Sequence, residues 1–294
     1  MSSVIISVII ATYKDWNRLK LCLEALANQT YPANQFEVII VNNDPEETCP
    51  YELPAYNMKI IIETKPGSYA ARNAGISIAK GEILAFTDSD CIPDKGWLEQ
   101  GITWLIYSTY DRVAGAIKIF PNDNNPKYIN KYESIFAIRQ DIYSKNKKAV
   151  TANLFVKSDL FNSIGLFDDS VFSGSDMKWN EKATLAGFSL IYVPESFVLH
   201  PARSKGQIIT KTKRLFPSHL ERLTKKKSKL FLFFFGVYHL RPPIKYYFAL
   251  LRNRHSLELS TSDFIYIMYF IYFIRIIRFR HHYFLLFGGN KERR

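Results

Sequence analysis

Apolar and polar residues alternate in blocks through the N-terminal part of the chain. Four nearly continuous apolar runs have the length of strands, and they lie at residues 7–12, 36–44, 58–64 and 82–88. Two segments between them, 17–29 and 68–80, repeat their apolar residues at helical spacing. Apolar strands separated by helices are typical of a parallel sheet with helices on both faces. The pattern predicts an α/β fold, with Gly81 as the C-cap of the second helix.

Further elements follow less regularly. In chain order the pattern predicts a helix (95–109), a strand (112–120), an Asn-rich loop (121–130), a strand with a short helix and a turn (151–169), and a helix followed by an extended segment (173–201). Gly187 is expected to stop the last helix, and the extended segment ends at His200.

The character of the chain changes after Arg203, where basic segments alternate with aromatic and aliphatic runs. The longest apolar segment, 263–287, is interrupted by three arginines, and its uninterrupted part extends only from Phe264 to Ile274. A helix needs about 20 apolar residues to cross a bilayer. The pattern therefore predicts helices in this region but no simple transmembrane helix.

The distribution of charge also separates the region after Arg203 from the rest of the chain. The chain carries a net charge of +12, but residues 201–294 hold 20 Lys/Arg against four acidic residues, a charge of +16, which leaves −4 on positions 1–200. Basic helices with apolar faces suit attachment to an anionic membrane surface. A helical subdomain that packs on the rest of the protein, or an oligomer interface, is the alternative. Nucleic acid is not expected, because no binding motif accompanies the basic residues.

Polar residues cluster where three of the predicted strands end. Thr12-Tyr13 follow the first strand, Asn42-Asn43-Asp44 the second, and Asp88-Ser89-Asp90 the fourth. Ligands of such sheets collect at the carboxyl ends of the strands. Two carboxylates two residues apart repel each other unless a cation lies between them, although Asp, Ser and Pro also form ordinary turns. Three polar ends at one edge favour a binding site.

Four blocks together resemble the family 2 glycosyltransferases, which have the GT-A fold. They are SVIIATYKDWNRLKLCLEAL, FEVIIVNND, KPGSYAARNAGISIAKGEILAFTDSDCIPDKGWLE and GLFDDSVFSGSDMKWNEKATLAGFSLIYVPESFVLHP, within residues 4–203. The resemblance implies a doubly wound, mostly parallel sheet flanked by helices. It assigns residues 1–203 to a nucleotide-sugar-binding catalytic domain and leaves 204–294 as a basic, aromatic-rich helical region that we expect to associate with membranes.

By this resemblance Asp88-Ser89-Asp90 is the DxD motif, which holds a nucleotide sugar through Mn²⁺ or Mg²⁺. Asp90 would be the direct metal ligand, and Asp88 and Ser89 would contact the nucleotide. His200 lies where relatives often have a further metal or diphosphate contact, and is otherwise a surface or core histidine. Imidazole is an acceptable Mn²⁺ ligand and a poor Mg²⁺ ligand, so a ligating His200 favours manganese.

The resemblance also implies a nucleoside site. Ala11, Thr12 and Tyr13 would cradle the nucleoside, with Tyr13 near the base, and Arg72 would approach the nucleotide unless it is a solvated helix charge. The chain departs from the family at Asn42, where relatives commonly have an aspartate that accepts from the uracil N3–H. An amide oxygen can still accept one hydrogen bond, so a pyrimidine base, uracil or thymine, is expected.

For the acceptor side the resemblance points to Asp176. This residue matches the family's general base, although Ser175 replaces the adjacent acid, and a carboxylate at a helix N-terminus is the alternative role. Direct displacement with such a base inverts the anomeric configuration. Trp179, one turn later, is expected either to stack on an acceptor sugar or to pack in the core.

The resulting hypothesis is an inverting, metal-dependent hexosyltransferase that uses a UDP-sugar and a saccharide or lipid-linked acceptor in surface polysaccharide or glycolipid synthesis. The alternatives are a nucleotidyltransferase, which lacks its expected Gly-rich phosphate loop here, and an inactive scaffold with the same fold. Three cysteines without a metal-ligand spacing and no signal-peptide pattern favour a reducing compartment. We therefore expect a cytoplasmic protein, peripheral at the inner face of the cell membrane.

Overall fold

The computed structural model describes residues 6–55, 57–224 and 228–289. Within these residues one mixed sheet contains eight strands: β1 (Ile6–Thr12), β2 (Phe36–Asn42), β3 (Met58–Ile62), β4 (Ile83–Asp88), β5 (Ile92–Pro93), β6 (Arg112–Phe120), β7 (Asn153–Lys157) and β8 (Leu190–Pro201). Their order across the sheet is β3-β2-β1-β4-β7-β6-β8-β5.

The α-helices of the described residues are α1 (Trp16–Ala27), α2 (Ser68–Ile78), α3 (Trp97–Ile106), α4 (Lys127–Phe136), α5 (Gln140–Lys145), α6 (Leu160–Ile164), α7 (Ser175–Leu185), α8 (Lys205–Thr224), α9 (Lys229–Val237), α10 (Ile244–Arg252) and α11 (Thr261–Leu286).

The first half of the sheet is parallel, which confirms the α/β prediction. β1 pairs in parallel with β2 and β4, and β2 pairs in parallel with β3. The direction reverses at β7, which is antiparallel to both β4 and β6, and β5 and β8 are also antiparallel. Because β1, β2 and β4 run the same way, their carboxyl ends lie at one edge of the sheet.

Alternate residues of the central strands face two separate cores. Val8 and Ile10 of β1 pack in the core that contains α1, whereas Ile9 packs in the core that contains α2 and α7. All three side chains are fully buried. Strands that are apolar on both faces read as continuous hydrophobic runs, which is why the pattern of the sequence located them.

Two local predictions were wrong. Helix α2 ends at Ile78 with Ala79 in extended conformation as its C-cap, and Gly81 is buried with its N–H donating to Ser7 Oγ over 2.8 Å. The Asn-rich loop is shorter than expected, because α4 begins at Lys127. The stop at Gly187 is confirmed: α7 ends at Leu185 and Gly187 has a φ of +94°.

The described chain forms two compact units. One comprises the residues up to 118 together with 138–200, and the other comprises 119–137 and the residues from 201 onward. The second unit therefore contains α4 and α8–α11, whose buried residues include Ile129, Ile135, Ile208, Ile267 and Phe270.

Two expectations fall partly on residues outside the described ranges. The absence of a signal-peptide pattern involves residues 1–5, and the basic character of the C-terminal region involves residues 225–227 and 290–294. Among the described helices, none has both the length and the apolar character required to cross a membrane.

Candidate functional site

The register of the parallel strands brings four predicted site residues to one edge. Thr12 is opposite Asn42 across the β1–β2 pair, and Ala11 is opposite Asp88 across the β1–β4 pair. Thr12 and Asn42 are buried, whereas Tyr13, the next residue along the chain, is 51% exposed. This edge of the sheet therefore has buried polar side chains next to an exposed aromatic ring.

Arg72 of α2 holds Asp88 by an ion pair. Its Nη2 lies 2.5 Å from Asp88 Oδ1, and its side chain is 7% exposed while that of Asp88 is 32% exposed. The guanidinium carbon lies 5.6 Å from the centre of the Tyr69 ring. Arg72 is thus a buried cation at the carboxyl edge of the sheet and not a solvated helix charge.

Asp90 lies between two groups from distant parts of the chain. Its Oδ2 is 3.7 Å from His200 Nε2, at the end of β8, and 3.5 Å from Arg18 Nη1, in α1. The side chain of His200 is 2% exposed and that of Asp90 is 22% exposed. The structure therefore joins His200 to the Asp88-Ser89-Asp90 segment, although the two lie far apart in the sequence.

Arg18 and Asp15 were missed by the sequence analysis. Arg18 Nε donates to Asp15 Oδ1 over 2.7 Å, and Ser89 Oγ donates to Asp15 Oδ2 over 3.2 Å. Burial opposes the charge of Arg18, but the Asp15 and Asp90 carboxylates outweigh it and raise the pKa of the guanidinium. These contacts connect Ser89 and Asp90 to the start of α1. The sequence signal was the Asp-Trp-Asn-Arg stretch at the start of the helix predicted for 17–29, to which we assigned no site residue.

The side chains available as metal ligands near Asp90 determine which kind of metal site could form there. In the described part of the chain, no three His, Cys, Asp or Glu side chains form a cluster able to hold a metal ion. Asp90 and His200 supply one carboxylate and one imidazole. Magnesium-type ions in nucleotide sites commonly take one or two protein ligands and complete their shell with phosphate and water. The residues therefore fit an open site that is shared with a nucleotide, and they do not fit a closed structural site.

Asp176 lies in the first turn of α7 and is 7% exposed. Its Oδ1 accepts from the Tyr69 hydroxyl over 2.9 Å and from the Met177 N–H over 2.8 Å, and its Oδ2 accepts from the Thr151 N–H over 3.2 Å. Three donors from three segments fix the orientation of this carboxylate.

Tyr69 was also missed by the sequence analysis. Its oxygen accepts from the Gly174 N–H over 3.0 Å while its hydrogen points to Asp176. Burial, and then the negative charge of Asp176, raise the pKa of Tyr69 well above its usual value, so the hydroxyl remains a donor. Tyr69 and Arg72 are one turn apart on α2, and this helix therefore contacts both Asp176 and Asp88.

Asn42 organises the loop after β2. Its Nδ2 donates to the carbonyl oxygens of Asp44 and Glu47 over 2.8 and 2.6 Å, and its Oδ1 accepts from the Asp44 N–H over 3.0 Å. Asp44 is 5% exposed, and its Oδ2 lies 3.4 Å from Lys14 Nζ. The amide oxygen that we expected to face a base thus has a partner within its own loop.

Trp179 fits the packing alternative. Its side chain is 4% exposed, its ring stacks on Phe161 with the centroids 4.5 Å apart, and its Nε1–H donates to the Gly165 carbonyl over 2.6 Å. The ring and the polar atom of this buried indole thus have partners in the core.

Comparisons with known proteins show the family of the chain. The family model described as glycosyl transferase family 2 matches residues 7–162. Glycosyltransferase AglE of Haloferax volcanii is 37% identical over 217 residues, which cover 71% of each chain. Glycosyltransferase GlyG of Streptococcus pneumoniae serotype 4 is 24% identical over 226 residues, covering 69% of this chain and 72% of that protein.

Among solved structures, the mannosyltransferase PcManGT from Pyrobaculum calidifontis, in complex with GDP-Man and Mn²⁺, has a TM-score of 0.60. It is 19% identical and the match covers 95% of this chain and 88% of that one, so it shows a shared GT-A fold. The matched domain, its relatives and the fold lead to one conclusion: this chain belongs to the family 2 glycosyltransferases, enzymes that use nucleotide sugars, as its sequence motifs predicted.

Proposed function

We propose that this glycosyltransferase is metal-dependent and moves a hexose from a nucleoside diphosphate sugar to an acceptor hydroxyl with inversion at the anomeric carbon. The observation that carries the proposal is the convergence of Asp90, His200 and Arg18 at the carboxyl edge of a family 2 domain. One carboxylate, one imidazole and one guanidinium suit a pyrophosphate together with a cation.

Asp90 and His200 would hold the ion, with manganese favoured because an imidazole is among the donors. A bound divalent ion neutralises the charge that develops on the diphosphate as the anomeric bond breaks. Arg18 would exchange part of its contact with Asp90 for a phosphate oxygen. Arg72 would hold Asp88 oriented toward the nucleotide, because the two side chains form an ion pair at 2.5 Å.

Asp176 would accept the proton of the acceptor hydroxyl as that oxygen attacks the anomeric carbon. The fixed donors Tyr69 and Thr151 support this role, since they hold the carboxylate in one orientation. The same hydrogen bonds are compatible with a purely structural carboxylate at the start of α7. Turnover of an Asp176 variant separates the two roles, because general-base catalysis contributes roughly 10²–10⁴-fold.

The nucleoside would lie along Ala11, Thr12 and the exposed ring of Tyr13. Asn42 would act on the base indirectly, through the loop that it holds. We expect a pyrimidine base, and a UDP-sugar as donor. Because the structural neighbour PcManGT is described with GDP-Man, a guanine nucleotide is the second candidate.

We further propose a saccharide or lipid-linked acceptor and peripheral attachment at the cytoplasmic face of the cell membrane. The support lies in the second unit, where α9 exposes Leu230, Phe231, Phe233 and Phe234 in a chain segment rich in Lys and Arg. Apolar side chains at a headgroup boundary, with cations that meet anionic lipid, would stabilise such attachment.

The test is turnover of a panel of UDP-, dTDP- and GDP-sugars by the full chain with Mn²⁺ and with excess EDTA. We expect turnover of one donor class that EDTA abolishes, and an inverted anomeric configuration in the product by NMR. Release of pyrophosphate from a nucleoside triphosphate and a sugar phosphate would instead support the nucleotidyltransferase. Nucleotide binding without turnover of any donor would support the inactive scaffold.

A further inference from the structure

The second unit contains a cavity that has a cationic lining. Its volume is about 340 Å³, and its wall includes Arg241, Lys245 and Arg275 together with Pro242, Pro243 and Tyr246. These residues come from the segment that begins α10 and from the middle of α11. The cavity lies outside the unit that contains the DxD segment.

Arg275 is a buried cation without a carboxylate partner among the described residues. The residue is 8% exposed, its Nη2 donates to the Tyr238 carbonyl over 3.0 Å, and its buried Nε has no hydrogen-bond partner in the described structure. Burial lowers the pKa of Arg275, and the positive charges of Arg241 and Arg278 lower it further. A buried charge with like-charged neighbours is costly unless an anion joins it.

Two of the three cations in the cavity wall are exposed, and a helix begins beside them. Arg241 and Lys245 are exposed, and the Arg241 guanidinium lies 3.5 Å from the centre of the Tyr238 ring, which orients it. Helix α10 begins at Ile244, directly after the two prolines, and the positive end of its dipole favours an anion nearby. Guanidinium groups match the oxygens of a phosphate better than they match a simple halide-type ion.

Apolar side chains beside the cavity indicate what carries the anion. Ile244, Tyr247 and Phe248 of α10 are 60%, 42% and 54% exposed. A free phosphate would gain nothing from such a surface, whereas the acyl or prenyl chain of a lipid would cover it. We propose that this cavity binds the phosphate group of a lipid, either a bilayer phospholipid or the carrier of a lipid-linked acceptor.

The test uses the full chain and vesicles of digalactosyldiacylglycerol, a neutral lipid without phosphate, doped with one anionic lipid at matched surface charge. One set contains phosphatidic acid, a second contains a polyprenyl phosphate, and a third contains oleate, whose anion is a carboxylate. The site variant is Arg241→Gln/Lys245→Gln. The matched control is Arg252→Gln/Arg280→Gln, which removes two exposed charges from the same helices without touching the cavity wall.

We expect tighter binding to both phosphate vesicles than to oleate vesicles. The site variant should lose this preference by on the order of tenfold or more, because each lost charge-assisted hydrogen bond changes affinity by about that factor, and the control should keep it. The phosphate vesicle with the higher affinity identifies the source. Arg275→Gln, checked for folding by circular dichroism, should act in the same way as the site variant.

Equal binding to phosphate and oleate vesicles, or equal losses in the site and control variants, would overturn the proposal and leave only general electrostatic attraction. Inorganic phosphate provides the last arm of the test. If it displaces the protein from phosphate vesicles as effectively as soluble short-chain phosphatidic acid does, the site binds free phosphate and the lipid assignment is wrong. None of these outcomes depends on whether the donor site turns over.

Discussion

Replacement of Tyr69 by phenylalanine tests the contact that orients Asp176. The change removes one oxygen atom and leaves the ring in its place beside Phe167, at a centroid distance of 5.9 Å. Two hydrogen bonds disappear, from the Tyr69 hydroxyl to Asp176 and from the Gly174 N–H to Tyr69. Tyr69 is 5% exposed, so water has little access to replace them.

The two bonds differ in strength. A hydrogen bond to a charged acceptor contributes about 1.5–3 kcal/mol, and one to a neutral acceptor contributes about 1 kcal/mol. Tyr69→Phe should therefore lower the free energy of unfolding by about 2.5–4 kcal/mol. In an Asp176→Ala background only the bond from Gly174 remains to be lost, and the same replacement should cost about 1 kcal/mol. The coupling energy between the two positions is then about 1.5–3 kcal/mol.

Urea unfolding followed by tryptophan emission measures this coupling energy in the unit that contains Tyr69 and Asp176. All four tryptophans, residues 16, 97, 104 and 179, lie in the first unit, so their emission follows the unfolding of that unit. Tyr107→Phe is the matched control: its side chain is 83% exposed, and its replacement should change the unfolding free energy by less than about 0.5 kcal/mol. Turnover should also fall in Tyr69→Phe while the KM for the donor stays constant, because the donor does not contact Tyr69 in our proposal.

Additive effects of Tyr69→Phe and Asp176→Ala would refute the reasoning about stability, since two residues that share a hydrogen bond must be coupled. A coupled pair with unchanged turnover in Tyr69→Phe would confirm the contact and show that the orientation of Asp176 has no role in catalysis.

Two further predictions concern packing and charge. Gly101→Ala should destabilise the first unit by about 1–3 kcal/mol in the same urea assay, because a Cβ there would lie 2.2 Å from the Phe155 ring; an effect within the error of wild type would contradict the packing of α3 on β7. In the second unit, burial opposes ionisation of Asp263, but hydrogen bonds from Lys131 and Ser260 outweigh it and lower its pKa. Its contribution to stability is therefore present above the unfolded pKa, near 4, and lost as the pH falls through the folded pKa. Asp263→Asn should melt at a lower temperature than wild type at pH 7, followed by circular dichroism, and the difference should disappear in acid; a difference independent of pH would contradict the assignment.

The parallel half of the sheet could be predicted because its strands are buried on both faces. Continuous apolar runs such as those ending at Thr12, Asn42 and Asp88 are typical of strands covered by helices on both sides, and parallel direction alone brings their ends together. The polar residues of the edge follow from the same local pattern. The positions of these polar residues depend only on the residues next to them in the sequence and on the rule that parallel strands end at the same edge of a sheet.

The contacts between distant segments could not be predicted. Tyr69 and Asp176 are 107 positions apart, and Arg18 and Asp90 are 72 apart. Which side chains meet across such distances depends on how helices pack, and periodicity does not contain that information. Asn42 is a different case. We predicted a contact with the base from the family resemblance, whereas the side-chain hydrogen bonds of Asn42 are made within its own loop.

Tertiary packing also explains α4. Its sequence, KYINKYESIF, is amphipathic, but it follows an Asn-rich stretch that favours a loop by local propensity. Ile129 and Ile135 are nevertheless buried among residues of the C-terminal helices, including Ile208, Phe270 and Ile271. The helix is stabilised by partners that lie much further along the chain, and a local pattern cannot reveal them.

Calorimetric titration of nucleoside diphosphates into the full chain, with Mn²⁺ and with EDTA, tests the central claim most directly. Asp90 and His200 together complete a metal–diphosphate site at the carboxyl edge of the sheet in our proposal. Wild type should bind UDP or GDP with Mn²⁺ and lose most of that affinity in EDTA. Asp90→Asn should bind equally weakly in both, while Asp159→Asn, an exposed carboxylate after β7, should match wild type. Equal affinity in Mn²⁺ and EDTA for wild type, or unchanged Mn²⁺-dependent binding in Asp90→Asn, would contradict the account.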